Sequence, residues 1–225
     1  MKISCIIPAF NEAERIINVL NVLVHHPLVD EVIVVNDAST DNTRGTLEAR
    51  SDIILINHEK NKGKTQAVLT GIQKAKHTMV MLIDSDLIGL SEEAVTNLIK
   101  PILNDQADVT ISLRKNALSI YKAAGIDFVS GERVFHKNLL TDFPEELQKL
   151  PGFGLEVFMN NITISKNLRL KIIPWNNVIS PRKSVKKGFF VGSWEDAKMV
   201  FQVLSTVPLW TCIYQVYKMK KLSKD

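Results

Sequence analysis

Short apolar runs alternate with stretches of helical periodicity through the first half of this 225-residue chain, and that alternation leaves few folds open. Residues 3–7, 31–35, 53–56 and 78–83 are rich in Ile, Val, Leu and Met, as expected of strands buried in a parallel sheet. Between the first two, Ile16, Ile17, Leu20, Leu23 and Val24 recur at helical spacing, which predicts a helix with one buried face. Strand, helix and strand in succession predict βαβ units, and right-handed crossovers then make the sheet mainly parallel. Helices over 65–76 and 91–104, a strand over 108–113 and a helix near Leu118 continue the series. The expected fold class is α/β, a Rossmann-like central sheet flanked by helices.

Beyond Asp127 the pattern becomes irregular. It shows a short segment at Phe128-Val129, a turn at Ser130-Gly131, a helix from Glu156 onward and a strand over 170–174. A last helical stretch over 193–217 is interrupted at Pro208. The expected organisation is one domain over 1–192, with a regular half to about 115 and an irregular half from about 116. Residues 193–225 then form a helical segment with a basic tail. Trp210, Tyr214 and Tyr217 beside Lys218, Lys220, Lys221 and Lys224 suit a helix lying in a membrane interface. Gln202, Pro208 and Gln215 argue against spanning, and a helix packed on its own domain is the other reading.

Composition adds boundaries. A hydrophobic fraction of 45% with 23% charged residues fits an ordinary globular core, without repeats or low-complexity tracts. The net charge of +4 is concentrated partly in Arg182, Lys183, Lys186 and Lys187, so phosphate-bearing partners are expected. Nucleic acid is not, because the basic clusters lack interleaved aromatics and no nucleic-acid module accompanies them. Cys5 and Cys212 make neither a disulfide framework nor a metal-ligand spacing, which suits a reducing, cytoplasmic setting. The first apolar run is short, ends at Pro8 and lacks a small-residue cleavage site, so it reads as a strand and not a signal peptide.

In a parallel α/β sheet the loops at the carboxyl ends of the strands carry the chemistry, and three of them here carry acids: Glu12, Asp37, and Asp84 with Asp86. Two carboxylates one residue apart can share a hard divalent cation whose other ligands are water and phosphate oxygens. Ending a strand and capping the next helix is the alternative use of such a triplet. Asp37 suits either a base N–H or a helix cap, and Lys64 can offset diphosphate charge.

Four segments together are more specific: IIPAFNE at Ile6 to Glu12, VNDASTDNT at Val35 to Thr43, NKGK at Asn61 to Lys64, and DSD at Asp84 to Asp86. In that order and spacing the chain resembles the GT-A glycosyltransferases of family 2. The resemblance implies that Pro8, Ala9, Phe10, Glu12 and Asp37 hold the nucleoside and that Lys64 approaches it. It also implies that Asp84, Ser85 and Asp86 serve ribose, metal and diphosphate. Asp86 would be the principal ligand of Mg²⁺ or Mn²⁺, with Asp84 beside it, and the donor would be a UDP- or GDP-sugar.

Ser130-Gly131-Glu132-Arg133 and Gly152-Phe153-Gly154-Leu155-Glu156 resemble segments of dolichyl-phosphate mannose synthases and related polyprenyl-phosphate glycosyltransferases. That likeness implies a polyprenyl phosphate acceptor at the cytoplasmic membrane face. Arg133 would meet a phosphate or pair with a carboxylate, and Arg182, Lys183, Lys186 and Lys187 would form a basic acceptor loop or a solvated charge run. Asp86, Arg133 and Glu156 are the expected catalytic set. A phosphate acceptor, with a second pKa of about 6, is already ionised and needs no base, whereas a hydroxyl acceptor needs one. Asp127, Glu132 and Glu156 are the acidic candidates. The alternatives are a soluble transferase acting on a phosphoglycerate or a sugar, and an inactive nucleotide-binding protein, against which the intact Asp84 and Asp86 argue. The sequence leaves the sugar and the oligomeric state open.

Overall fold

The computed structural model describes residues 1–117, 119–150, 154–181 and 209–223. The chain runs β1 (Ile3–Ala9), α1 (Ile16–Leu23), β2 (Glu31–Asn36), α2 (Thr43–Glu48), β3 (Ile54–Asn57), α3 (Lys64–Lys74) and β4 (Met79–Leu82). It continues with α4 (Glu92–Leu103), β5 (Val109–Arg114), α5 (Ser119–Ala124), β6 (Arg133–His136), α6 (Asn138–Thr141), α7 (Pro144–Gln148), α8 (Gly154–Ser165), β7 (Leu170–Trp175) and α9 (Leu209–Leu222).

The strands form one sheet in the order β3-β2-β1-β4-β6-β5-β7. β1 pairs in parallel with β2 and β4, β2 with β3, and β5 with β7. Only β6 is antiparallel, set between β4 and β5. The strand order reverses between β1 and β4, and a doubly wound sheet opens its binding crevice at such a switch point.

Alternation along β1 sends Ile3, Cys5 and Ile7 to one face and Ile6 to the other, which supplies two cores. On the first face α1 and α4 bring Ile16, Val19, Leu20, Leu23, Val95, Leu98, Ile99 and Ile102. On the second, α3 and α8 bring Ala67, Val68, Ile72, Leu155, Met159 and Ile162. Gly71 of α3 permits the close approach to β1, since a Cβ there would lie 2.5 Å from Ile6 Cγ2. Ser91 accepts the Ala94 amide and caps α4, while Glu92 and Glu93 complement the helix dipole.

Most expected elements are present with ends displaced by a residue or two. The correction is β6: the turn expected at Ser130-Gly131 leads directly into a strand. Four residues are too few to show periodicity, and the strand exists because Leu82↔Arg133 and Ile111↔Arg133 pair it on both sides. α6 and α7 were also unexpected from the pattern, although Pro144 at the start of α7 is a normal opening.

Of the stretch expected helical over 193–217, residues 193–208 lie outside the described residues. α9 begins just after Pro208 and runs to Leu222. One side of α9 docks on α8 through buried Cys212, Gln215 and Met219. Gln215 Nε2 donates to Val157 O at 3.0 Å and to Asn161 Oδ1 at 2.7 Å, and Gln215 Oε1 accepts from Asn160 Nδ2 at 3.1 Å. Trp210, Ile213, Tyr214 and Tyr217, spaced as one helical stripe, stand exposed. Among the described residues no helix is long and apolar enough to cross a membrane.

Candidate functional site

The loops after β1 and β2 are knitted together. Asn11 and Ala38 both take positive φ, 57° each, a conformation that non-glycine residues adopt only where neighbours enforce it. Here the Asn11 amide donates to Ser39 Oγ at 3.0 Å, and Asn11 Oδ1 accepts from the Thr40 amide at 2.8 Å. The Glu12 amide donates to Thr43 Oγ1 at 2.8 Å, and the Ala13 amide to Asp41 Oδ2 at 3.2 Å. Much of the polar content of both motifs therefore holds one loop to the other. Asp41 accepts the Thr43 amide and so organises the start of α2 from outside the helix. Burial would raise its pKa, but hydrogen bonds from Thr43 and Ala13 hold it low.

Pro8 is half-buried, Ala9 is buried and Phe10 is exposed on this edge. Glu12 is buried and its Oε2 pairs with Arg15 Nε at 2.7 Å. Asp37 is also buried, and its carboxylate organises the protein: Oδ1 meets His58 Nδ1 at 2.7 Å and the Lys62 amide at 2.9 Å, and Oδ2 accepts the Gly63 amide at 2.8 Å. His58 Nε2 reaches Thr70 Oγ1 at 3.0 Å. Asp37 thus fixes the turn that launches α3 and does not cap α2. Carboxylate oxygens offer about four acceptor positions, and the protein itself fills three of them here.

Lys64, the first residue of α3, reaches across the edge. Its Nζ lies 2.8 Å from Asp84 Oδ1 and 3.0 Å from Glu156 Oε1 in the first turn of α8. Gly131 makes room, because a Cβ there would stand 2.6 Å from Lys64 Nζ and 2.8 Å from Asp84 Oδ1. Antiparallel β6 explains the meeting: Leu82 opposes Arg133, so Gly131 and Glu132 lie beside the residues that follow β4.

Burial would lower the Lys64 pKa, but Asp84 and Glu156 overcome it and hold the ammonium above its ordinary value. Burial would raise Asp84, and the charges of Lys64 and Arg114, with hydrogen bonds from Lys64 and Glu132, bring it below the usual carboxylate range. Glu132 moves the other way: burial raises it, against Arg114 and with Asp84. Glu132 Oε2 accepts from Ser112 Oγ at 2.7 Å and Ser130 Oγ at 2.6 Å. Its Oε1 accepts no hydrogen bond among the described residues. Arg114, at the end of β5, pairs with Asp127 at 2.9 Å and approaches Glu132 at 3.5 Å, and their charges raise its pKa against burial.

Arg133 is the clearest departure from expectation. It was expected to meet a substrate phosphate or to pair with a carboxylate, yet the side chain is wholly buried and its hydrogen bonds go to two backbone carbonyls and an amide oxygen. Nε donates to Ser130 O at 2.9 Å, Nη1 to Asn160 Oδ1 at 2.7 Å and Nη2 to Phe128 O at 3.0 Å. Burial pushes its pKa down to about 10 despite Glu156, Asp127 and Glu132. The guanidinium's task in this arrangement is to hold the 128–130 turn against α8.

Ser85 is buried, and Asp86 Oδ1 accepts from Ser180 Oγ at 3.2 Å. A bridge between Ile88 and Ile179 holds the segment after β7 against the aspartate loop. Arg182, Lys183, Lys186 and Lys187 follow in sequence but lie outside the described residues. His58, Arg114 and Ser180 were not singled out from sequence, and Gly131 was noted only as part of a turn and of the Ser130 to Arg133 segment; of the three, Arg114, a cation directly after an apolar strand, carried a usable signal.

Asp84 and Asp86 are the carboxylates suited to a divalent cation. Among the described residues no cluster of three or more His, Cys, Asp or Glu side chains assembles, so two carboxylates need water and phosphate oxygens to complete a shell. The Lys64 ammonium against Asp84 is an observed cation at this position, which supports the fit.

A doubly wound sheet with its switch point at β1 and β4, Asp84-Ser85-Asp86 on that edge, and Glu156 of α8 brought to Lys64 beside it fit a GT-A glycosyltransferase that uses a nucleotide-sugar donor. The chain belongs to glycosyl transferase family 2, whose profile matches residues 4–120. It is 29% identical over 184 residues to a UDP-N-acetylglucosamine–dolichyl-phosphate N-acetylglucosaminyltransferase of Methanococcus voltae, covering 64% of this chain and 72% of that one. A poly-beta-1,6-N-acetyl-D-glucosamine synthase of Staphylococcus aureus is 34% identical over 90 residues, 38% of this chain and 22% of that one. Glucosyl-3-phosphoglycerate synthase from Mycobacterium tuberculosis, solved with Mn²⁺, UDP and glucosyl-3-phosphoglycerate, shares the fold. Its TM-score is 0.72 at 22% identity, covering 96% of this chain and 80% of that one.

Proposed function

We propose that this glycosyltransferase moves a sugar from a UDP- or GDP-sugar to a polyprenyl phosphate of the dolichyl or undecaprenyl type. The observation that carries the acceptor class is α9. Its outer stripe leaves Trp210 80% and Tyr217 67% exposed, with Ile213 and Tyr214 between them and Lys218, Lys220 and Lys221 at its end. Aromatic side chains beside lysines suit the headgroup region of an anionic membrane. The dolichyl-phosphate relative supports the same reading. The protein then works peripherally at the cytoplasmic membrane face, with residues 1–192 as the transferase unit, donor-side to about 115, and the outer stripe of α9 facing lipid.

In this reading Pro8, Ala9, Phe10, Glu12 and Asp37 frame the nucleoside, and Asp84, Ser85 and Asp86 face ribose and diphosphate. Mg²⁺ or Mn²⁺ held by Asp86 with Asp84 supplies charge for the departing nucleoside diphosphate. Lys64 adds a positive charge at the same place, and Arg114 pairs with Asp127 and approaches Glu132 beside it. An ionised acceptor phosphate attacks the anomeric carbon without a base, so Glu156 serves by positioning and by its tie to Lys64. Arg182, Lys183, Lys186 and Lys187, which follow Ser180 and its bond to Asp86, orient that phosphate.

The test supplies radiolabelled UDP- and GDP-sugars with Mn²⁺ to the protein and offers polyprenyl phosphate in anionic vesicles or soluble 3-phosphoglycerate. Label entering the lipid phase is expected. Transfer to phosphoglycerate alone would overturn the acceptor assignment.

A further inference from the structure

One ammonium joins three parts of the edge that sequence keeps far apart. Lys64 opens α3, Asp84 follows β4, and Glu156 opens α8 on the acceptor side, and both oxygens lie within 3.0 Å of Nζ. A cation at a helix N-terminus is disfavoured by the helix dipole, and the first turn of α3 contains no acidic residue that would offset it. The two carboxylates across the cleft therefore account for the position of this side chain. Gly131 is bare where any Cβ would intrude on the pair, so the contact has a place built for it.

The charge balance has a consequence. Asp84 and Glu156 converge on the same cation, and without it they would face each other as like charges in a partly desolvated cleft. Asp84 is also one of the two carboxylates suited to a divalent ion. An ammonium 2.8 Å from Asp84 Oδ1 repels a divalent ion approaching the same carboxylate, while an incoming diphosphate brings new negative charge for Lys64 to meet.

We infer that Lys64 is a resident counter-cation of the cleft, which yields Asp84 to a divalent ion and moves to the donor diphosphate, thereby releasing Glu156 on α8. This rests on the reading of Asp84 and Asp86 as the metal pair. It adds that donor arrival and the freedom of the acceptor-side carboxylate are linked through one side chain. Lys64 is then a competitor of metal in the empty protein and a partner of the nucleotide in the loaded one.

The experiment measures Mn²⁺ binding to the full chain by the electron paramagnetic resonance signal of free Mn²⁺, first without nucleotide and then with UDP. Lys64→Met should bind Mn²⁺ alone about tenfold more tightly than wild type, because the competing ammonium is gone, and should lose much of the gain in affinity that UDP confers. Glu156→Gln removes one anion from the cleft and leaves the ammonium on Asp84, so it should weaken Mn²⁺ alone by about threefold. Lys64→Arg should stay near wild type. Mn²⁺ affinity in Lys64→Met equal to or weaker than wild type would overturn the inference while leaving the metal pair intact. Should Lys64→Met fail to fold, Lys64→Gln is measured in its place and the same outcomes apply. A wild-type protein that binds no Mn²⁺ with or without UDP would remove the metal reading and this inference together.

Discussion

Replacing Arg133 by methionine separates a structural guanidinium from a catalytic one. The methionine keeps much of the stem volume and removes three donors from a fully buried site. Phe128 O retains a second donor, Asn160 Nδ2 at 2.8 Å, whereas Ser130 O and Asn160 Oδ1 lose the Arg133 bonds. Each orphaned buried acceptor costs about 1–3 kcal/mol. Relief of the guanidinium's own desolvation offsets part of this, and about 3 kcal/mol of destabilisation remains. For a chain of this size about 2–4 °C of melting temperature accompanies each kcal/mol, so a fall of about 6–12 °C is expected. Circular dichroism melting measures it, and sugar transfer assayed well below the new midpoint should retain most of the wild-type rate. A melting temperature within about 2 °C of wild type together with abolished transfer would refute the reasoning and return Arg133 to the substrate.

Three further outcomes follow from the same geometry. Gly131→Ala places a Cβ against the movable ends of Lys64 and Asp84, so stability should change by less than about 1 kcal/mol while UDP affinity in Mn²⁺ falls severalfold by calorimetry. A large loss of stability with unchanged UDP affinity would contradict it. His58→Phe removes the bonds to Asp37 and Thr70, which should cost about 1–2 kcal/mol and raise KM for the donor more than it lowers kcat. An unchanged donor KM would show that Asp37 needs no such support. Asp84 is held below its ordinary 3.8, so the stability it contributes is full above that value and is lost as pH falls through the depressed folded value. The melting gap between wild type and Lys64→Met should therefore hold from about pH 7 to 4 and narrow as pH falls further. A gap unchanged to about pH 3 would assign it to another contact.

The donor half was legible because its signals are local. Buried parallel strands announce themselves as apolar runs, the segments between them carry helical periodicity, and right-handed crossovers leave the acidic loops after β1, β2 and β4 on one edge. Topology alone thus brought Glu12, Asp37, Asp84 and Asp86 to a common edge, before any side chain was located. Trp210, Tyr214 and Tyr217 beside the terminal lysines were visible as composition, and the structure joined Ile213 to them as one exposed stripe.

Tertiary structure decided where each side chain points, and there the sequence had no purchase. Arg133 could be read equally as a phosphate ligand or a carboxylate partner; pairing of four-residue β6 on both sides turned it inward to the 128–130 turn and Asn160. The contact of Lys64 with Glu156 spans α3 and α8, and that of Asp37 with His58 spans β2 and the end of β3, so neither leaves a periodic trace. Periodicity reports which face of an element is buried, because burial repeats with the backbone. The partner of one polar group is set by the packing of distant elements, and that information exists only once the chain has folded.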